Sequence, residues 1–396
     1  MKKPINNPIE GIRRLQKEYV AFRRDLHAHP EIGFELTRTK QKVIEKLIAL
    51  NIEFHDHIGG GLVAVIHGDN PESRGIGLRA DMDALPMQEE NNFDHASTIR
   101  GRMHGCGHDG HTAMLLACGH YLQETRRFSG TAYLIFQPAE EGGGGAKAMI
   151  RDGLFERFSI DRVFALHNWP SLSLGKVAIQ TGAVMAACDR IFIDIEGRGG
   201  HAAHPHLTID PVVVAGHIIT ATQSIVARNQ DPFDSAVISI CGVEAGNMNA
   251  MNVIPRTARM IGTVRTFKPQ VQEMIQKRLH EVVTSIAAAF GATATLRYIT
   301  IDPATINDAA QATFAKKVAA RLFGDDNIIS DLKPSMGAED FTYMLQRKPG
   351  AYLRIGQLGA TSRETFLHNS EYDFNDEVIP YGAGLLAGLV EDIDHE

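Results

Sequence analysis

Apolar residues recur at three- and four-residue spacing through the N-terminal segment (Ile9, Ile12, Leu15, Tyr19, Phe22 and Leu26), which predicts an amphipathic helix that stops before His29-Pro30. A second helical pattern runs from Thr37 to Leu50. Short apolar runs bounded by glycine follow at Leu62–Ile66, Ile76–Ala80, Ala132–Phe136 and Val163–Leu166, and these read as strands. Helical patterns at His111–Thr125 and Ala146–Phe155 sit between the later ones, so the rhythm predicts an α/β layer around a mostly parallel sheet. The middle of the chain changes order. A strand at Ile191–Ile195, a helix at Pro211–Arg228, strands at Ala236–Cys241 and Arg259–Val264, a helix at Val271–Phe290 and a strand at Thr293–Ile299 spell β-α-β-β-α-β, a ferredoxin-like unit. This predicts a domain inserted at 186–298 in a discontinuous first domain, 1–185 and 299–396. In the latter the α/β rhythm resumes with helices near Ala309–Phe323, Ala338–Leu345 and Gly382–Val390 and a strand at Tyr352–Ile355.

Composition narrows the function classes. The 396 residues are 44% apolar and 22% charged, ordinary for a globular chain, and the net charge of −7 comes with no basic stripe, which argues against nucleic-acid or anionic-membrane partners. Four cysteines are too few for a disulfide scaffold, MKKPINNPIE has no apolar core behind its lysines, and no long apolar run spans a membrane; a cytoplasmic location is expected. The 18 histidines are unevenly spread, with clusters at His95–His120 and at His201–His206.

The candidate chemistry lies in those clusters and at strand ends. MHGCGHDGHT (103–112) packs Cys106, His108, Asp109 and His111 between glycines, a set of borderline-soft ligands on a tight backbone; a glycine-rich turn holding polar residues by chance is the plainer alternative. In YLIFQPAEEGGGG (133–145) a strand runs into Glu140-Glu141. Successive side chains of an extended segment point apart, so one glutamate can hold a metal while the other serves as general base; a solvated acidic pair is the ordinary reading of such a dipeptide. The strand before Asp81 and Asp83, and the one before His167, deliver further groups to the same expected sheet edge, where open α/β sheets bind ligands. Gly75–Ala80 matches a dinucleotide fingerprint formally but opens no helix, the four glycines 142–145 lack the Gly-Lys-Ser/Thr of a phosphate loop, His280-Glu281 lacks a second zincin histidine, and no nucleophile elbow occurs. GRGGHAAHPH (197–206), Asn252 and Arg265 in the insert offer imidazole and a carboxylate clamp, although the last two would as isolated residues be ordinary surface groups.

Taken in order, LHAHPEIGFE, RADMDALPM, MHGCGHDGHT, FQPAEEGGGG, GRGGHAAHPH, NVIP, SMGAED and LHNSEYDFNDE make the chain resemble, over nearly its whole length, the dinuclear-metal aminoacylase and carboxypeptidase superfamily, in its hippurate hydrolase and indole-3-acetyl-amino-acid hydrolase branch. The resemblance implies a metallopeptidase-like catalytic domain with an inserted dimerisation (lid) domain. It implies amide hydrolysis of N-acyl amino acids with two divalent ions per subunit, zinc ahead of manganese, cobalt or nickel. Carried over residue by residue, it implies Cys106, His108, Glu141, His167 and His368 as ligands and Glu140 as general base. Asp81 would orient a metal-binding histidine, and His201 would reach the active site of the partner subunit of a homodimer or homotetramer. Asn252 and Arg265 would hold the substrate carboxylate, and Gly337 would lie in a substrate-contacting loop. His104 and His111 are expected behind the ligands, and His55, His57, His280 and His395 as ordinary residues. Gly105 and Ser370 depart from the alanine and proline usual at those places. The rivals are a dipeptidase or carboxypeptidase of short peptides, a metal-binding protein without chemistry, and a redox role for Cys106.

Overall fold

The computed structural model describes residues 7–359 and 365–393; the residues before Asn7 and His395, both read above, lie outside the described residues. The chain divides into two compact units, one made of the chain up to Gly182, Ile306–Lys333 and the part from Asp340 on, the other of Ala183–Thr305 and Pro334–Glu339.

The first unit is built on an eight-stranded sheet. Its four central strands, Thr131–Gln137, Gly75–Asp81, Arg162–Ser173 and Gly350–Leu358, are parallel. Thr131–Gln137 and Gly75–Asp81 are buried at every position, which is why they read as unbroken apolar runs rather than alternating ones. Gly61–His67 and Glu53–Ile58 add antiparallel pairs at one side, and Val177–Ala178 adds one at the other, so the sheet as a whole is mixed. Glu53–Ile58 (EFHDHI) escapes a sequence reading because an edge strand needs little apolar surface. The helix Ala309–Phe323 has the expected bounds, and the last helix runs Val378–Glu391. The N-terminal helix is split into Pro8–Arg13 and Gln16–Ala28, where the Leu15 N–H turns back to the Ile12 carbonyl. The Ala146–Phe155 pattern divides around Gly153, whose φ of 91° suits glycine. Of the helix expected at Ala338–Leu345 only Thr342–Leu345 forms. Asp340 is turned inward instead, accepting the Ala146 N–H at 2.9 Å and the Gln137 amide at 2.7 Å.

The second unit carries a four-stranded antiparallel sheet in the ferredoxin-like order: strand Ala187–Glu196, helix Pro211–Arg228, strands Ala236–Ala245 and Thr257–Thr266, helix Pro269–Ala289, strand Thr293–Asp302. Both helices open on proline, and Asp210 caps the first by accepting the Val212 N–H at 2.8 Å. Ala187–Glu196 alternates buried and open positions, presenting its apolar side to these helices. Among the described residues no helix is long and apolar enough to cross a membrane.

Candidate functional site

The glycine-rich loop enters the buried helix His108–Thr125 through Gly107, at φ 88°. A Cβ there would stand 2.5 Å from Asn168 Oδ1 and 2.7 Å from the Tyr372 hydroxyl, so only glycine makes this turn. The turn sets Cys106 Sγ 3.5 Å from His167 Nε2. Donor atoms of Cys106, His108 and His167 lie within 4.8 Å of one another, and so do those of Cys106, Glu141 and His368, and of His108, Glu140 and Glu141. His167 lies inside a strand that runs on to Ser173 rather than at a strand end, because Gly350–Leu358 continues to pair with it, Arg354 opposite His167.

Two residues with positive φ flank the cluster, Ala139 at 51° and His368 at 62°. Left-handed backbone outside glycine costs of order 1–3 kcal/mol, and the surroundings must impose it. At Ala139 the constraint is visible: the Asp83 carboxylate accepts the backbone N–H of Glu140 at 3.0 Å and of Glu141 at 3.1 Å. At His368 the N–H donates to the Gly105 carbonyl at 2.8 Å, tying the last expected ligand to the loop that carries Cys106. Ser370 closes the same segment, its hydroxyl 2.6 Å from Glu90 Oε2 and its carbonyl accepting the Glu90 N–H at 2.9 Å.

A set of hydrogen bonds orients the imidazoles. His167 Nδ1 donates to the Asn168 carbonyl at 2.7 Å, which leaves Nε2 turned toward Cys106. Asp81 is 2.5 Å from His111 Nδ1 and 2.6 Å from Arg79 Nη1, but 3.7 Å from His108 Nε2. His111 Nε2 lies 2.6 Å from Asn168 Oδ1, so both its nitrogens are engaged; it stands behind the cluster, connecting Asp81 to the residue beside His167. The carboxylate nearest His108 Nδ1 is Asp83, at 3.4 Å. Sequence reasoning noted Asp83 only as a strand-end acid and missed its grip on the two glutamates, because a bond to backbone N–H leaves no trace in residue type. It missed Asn168 and Gln357 as well, the latter accepting from the Asn168 amide at 2.8 Å.

Electrostatics favour a cation here. Burial disfavours a charged Asp81, yet Arg79 and the two imidazoles hold its carboxyl well below the usual carboxylate range. Burial likewise opposes a charged His108, while Asp81 and Cys106 push its pKa well above normal. Cys106 and then Glu141 raise His368 to about 10. These are protons that a divalent ion displaces on binding. Both ring nitrogens of His108 are buried and make no hydrogen bond, Oε1 of Glu141 lies 3.1 Å from His368 Nε2, and thiolate, imidazole and carboxylate are the donors borderline divalent ions prefer. The residues present fit two divalent ions, with Cys106, His108, Glu141, His167 and His368 as the groups that would hold them. Burial, with Glu141 adding, pushes the Cys106 thiol up, away from the thiolate that a redox cysteine keeps.

Residues 77–392 match the family described as peptidase family M20/M25/M40. The chain belongs to that family. This M20/M25/M40 protein is 40% identical to the hippurate hydrolase of Campylobacter jejuni, over 97% of its own length and 98% of the relative's. It is 37% identical to the IAA-amino acid hydrolase ILR1-like 4 of Arabidopsis thaliana, over 93% and 84%. Among solved structures it is similar to the YXEP protein of Bacillus subtilis, described as a dinuclear metal binding peptidase from the M20 family, with a TM-score of 0.83 and 32% identity over 96% of this chain and 99% of that one.

The second unit of the M20/M25/M40 protein holds the remaining expected residues. His201 and Asn252 meet in a two-stranded ladder, Gly200–His201 against Val253–Ile254, with the Ala202 N–H donating to the Asn252 carbonyl at 2.9 Å. Both lie beyond the end of the main sheet where Thr257 pairs Glu196. Arg265 is on the same strand as Thr257 but pairs Cys188, eight residues further along, about 26 Å at the ~3.3 Å rise of an extended chain. Its Nη1 is buried without a hydrogen-bond partner. Gly337 is held by its N–H to Ser335 Oγ, 3.0 Å, and by its carbonyl accepting the Ala186 N–H, 2.9 Å. The unit therefore brings His201 and Asn252 together and keeps Arg265 at the far end of the strand.

Proposed function

We propose that the chain hydrolyses the amide bond of N-acyl amino acids, hippurate-like or N-acetylated, to a carboxylic acid and a free amino acid, with Cys106, His108, Glu141, His167 and His368 holding two divalent ions. The observation that carries this reading is the clamp of Asp83 on two successive glutamates, which sets Glu141 among Cys106 and His368 and keeps both carboxylates beside His108. When bound, the ions lower the pKa of water and polarise the acyl carbonyl. Glu140 takes the proton from the attacking water and passes it to the leaving nitrogen. His201 donates to the charge that develops on the acyl oxygen. The guanidinium of Arg265 from one chain and Asn252 of the partner subunit, where it sits beside His201, hold the substrate carboxylate, and Gly337 borders the same substrate in a loop where a Cβ would press within 3.1 Å of Met185. The thiolate favours zinc over manganese, cobalt or nickel.

Within one chain His201 and Arg265 cannot converge on one small substrate, given the length of strand between their ends of the sheet. This supports a homodimer in which His201 and Asn252 of the partner subunit serve each metal centre. All four cysteines are without disulfide partners, which suits a reducing, cytoplasmic setting. The test is incubation of zinc-loaded protein with hippurate and a panel of N-acetyl-amino acids, following amino-acid release. Turnover with at least one of them, abolished by Glu140→Gln with two ions still bound, is expected. Failure to cleave any member of the panel would refute the reading.

A further inference from the structure

The insert unit contains a feature that none of the expected roles uses. His201 Nδ1 accepts the backbone N–H of Ala203 at 3.0 Å. A neutral imidazole has one donor and one acceptor nitrogen, so this bond places the proton on Nε2. The turn making the bond is anchored on both sides. The His204 N–H donates to the His201 carbonyl at 2.8 Å, and the Ala202 N–H donates to the Asn252 carbonyl at 2.9 Å. His201 itself pairs with Val253, and Gly200 with Ile254. The approach is close: a Cβ on Gly199 would stand 2.8 Å from the Ile254 carbonyl oxygen. The residue expected on the substrate carboxylate and the one expected on the acyl oxygen thus belong to one small ladder. Whatever fixes the backbone of Asn252 fixes Ala202, and through the 201–204 turn the direction of the His201 ring.

We propose that His201 and Asn252 act as a single element, the Ala203 N–H holding His201 as the Nε2–H donor and engagement of Asn252 by a substrate carboxylate setting that donor in place. This rests on the roles of Asn252 and His201 proposed above. Its consequence is kinetic. A carboxylate that only anchored the substrate would enter KM alone, whereas one that also places the donor enters kcat. The Ala203 N–H and the Asn252 carbonyl are positioning groups here; they need not touch the reacting atoms.

Two measurements decide it. Long-range proton–nitrogen spectra of histidine-labelled, zinc-loaded protein, with His201→Gln to assign the signal, should show His201 as the Nε2–H tautomer. An Nδ1–H tautomer or an even mixture would overturn the proposal. The second compares hippurate with its carboxamide, benzoyl-glycinamide. Replacing the carboxylate should lower kcat about tenfold or more in the unmodified enzyme but only about twofold in His201→Gln, the mark of coupled groups. An equal kcat loss in both, or a change confined to KM, would overturn it. A protein that cleaves neither compound nor any N-acetyl-amino acid of the panel refutes the hydrolase reading, while the tautomer, measured without substrate, still decides this one.

Discussion

The first unit builds its cluster before anything binds, and the second leaves its groups open. Around the expected ligands, Asp81, His111, Asn168 and Gln357 form a continuous, buried set of hydrogen bonds, and buried Asp83 holds the backbone N–H groups of Glu140 and Glu141. Behind them lies a second buried network. Arg23, wholly enclosed, meets Asp376 at 2.8 Å, Asp373 at 3.0 Å and Asp109 at 3.3 Å, and His27 bridges Asp109 at 2.8 Å and Glu89 at 3.2 Å. In the second unit His201, His204, His206 and Asn252 are exposed, and Met248 and Met251 beside them are 99% and 96% exposed. Metal chemistry needs ligands held by a supporting shell. Groups that must admit and release a substrate, or serve another subunit, are fixed by short backbone ladders and completed by what they meet. Large apolar side chains left in water beside such groups suit an interface more than an isolated surface.

The largest expected effect strikes the built side. Glu140→Gln should lower kcat by about 10²–10⁴, the usual worth of a general base, while metal analysis still finds two ions per chain. Loss of the metals along with activity would show that Glu140 is a ligand and break the division of labour between the two glutamates.

Next comes the network behind the loop. Burial lowers the pKa of His27, but Asp109 and Glu89 more than offset this and raise it to about 9. Because the folded value lies above the ordinary ~6.5, its stabilisation is complete below about pH 6.5 and disappears as pH rises through about 9. Burial raises Asp109 and Glu89, yet their partners hold both below the usual carboxylate range, so on the acid side their contribution is present above that range and lost as pH falls through the lowered values. Urea unfolding across this range should show both declines. His27→Gln, which breaks a buried charge pair, should cost about 3–5 kcal/mol and flatten the alkaline limb. An unchanged alkaline limb would mean that His27 does not carry it.

On the open side, His201→Gln should lower kcat by about 10²–10³, the cost of losing one donor to a developing oxyanion, with metal content and unfolding midpoint unchanged. A shifted midpoint would mean that the exposed ladder is part of the fold's support. Smallest is Gly105→Ala. The added Cβ would stand 2.9 Å from Met87 Sδ and 3.2 Å from Leu85 Cδ1, flexible ends that can yield, so the change should cost about 1 kcal/mol or less in thermal unfolding and leave turnover intact.

The comparison also explains what could be read from residues alone. The central strands were legible because burial on both faces makes them continuous apolar runs, and MHGCGHDGHT was legible because ligand types and glycines crowd one segment. Arg23 and His27 were not, since on an amphipathic helix they look like solvated charges until residues 373–376 close over them. Asp83 was seen but not understood, because its partners are peptide N–H groups. The expected helix at 338–345 failed where Asp340 found the Ala146 N–H and the Gln137 amide instead of continuing a turn. His201 and Asn252 are far apart in sequence, and only the ladder between their strands joins them.

The central claim, that the centre built in one chain is completed by the exposed ladder of another, can be tested by mixing two inactive proteins. Glu140→Gln keeps an intact His201, and His201→Gln keeps an intact Glu140. After subunit exchange at equal concentrations, half the dimers are mixed and each mixed dimer regains one whole site, so hippurate turnover should return to about a quarter of the unmodified level. Activity that stays at the level of the separate variants would place His201 and Glu140 at work within the same chain and contradict the account.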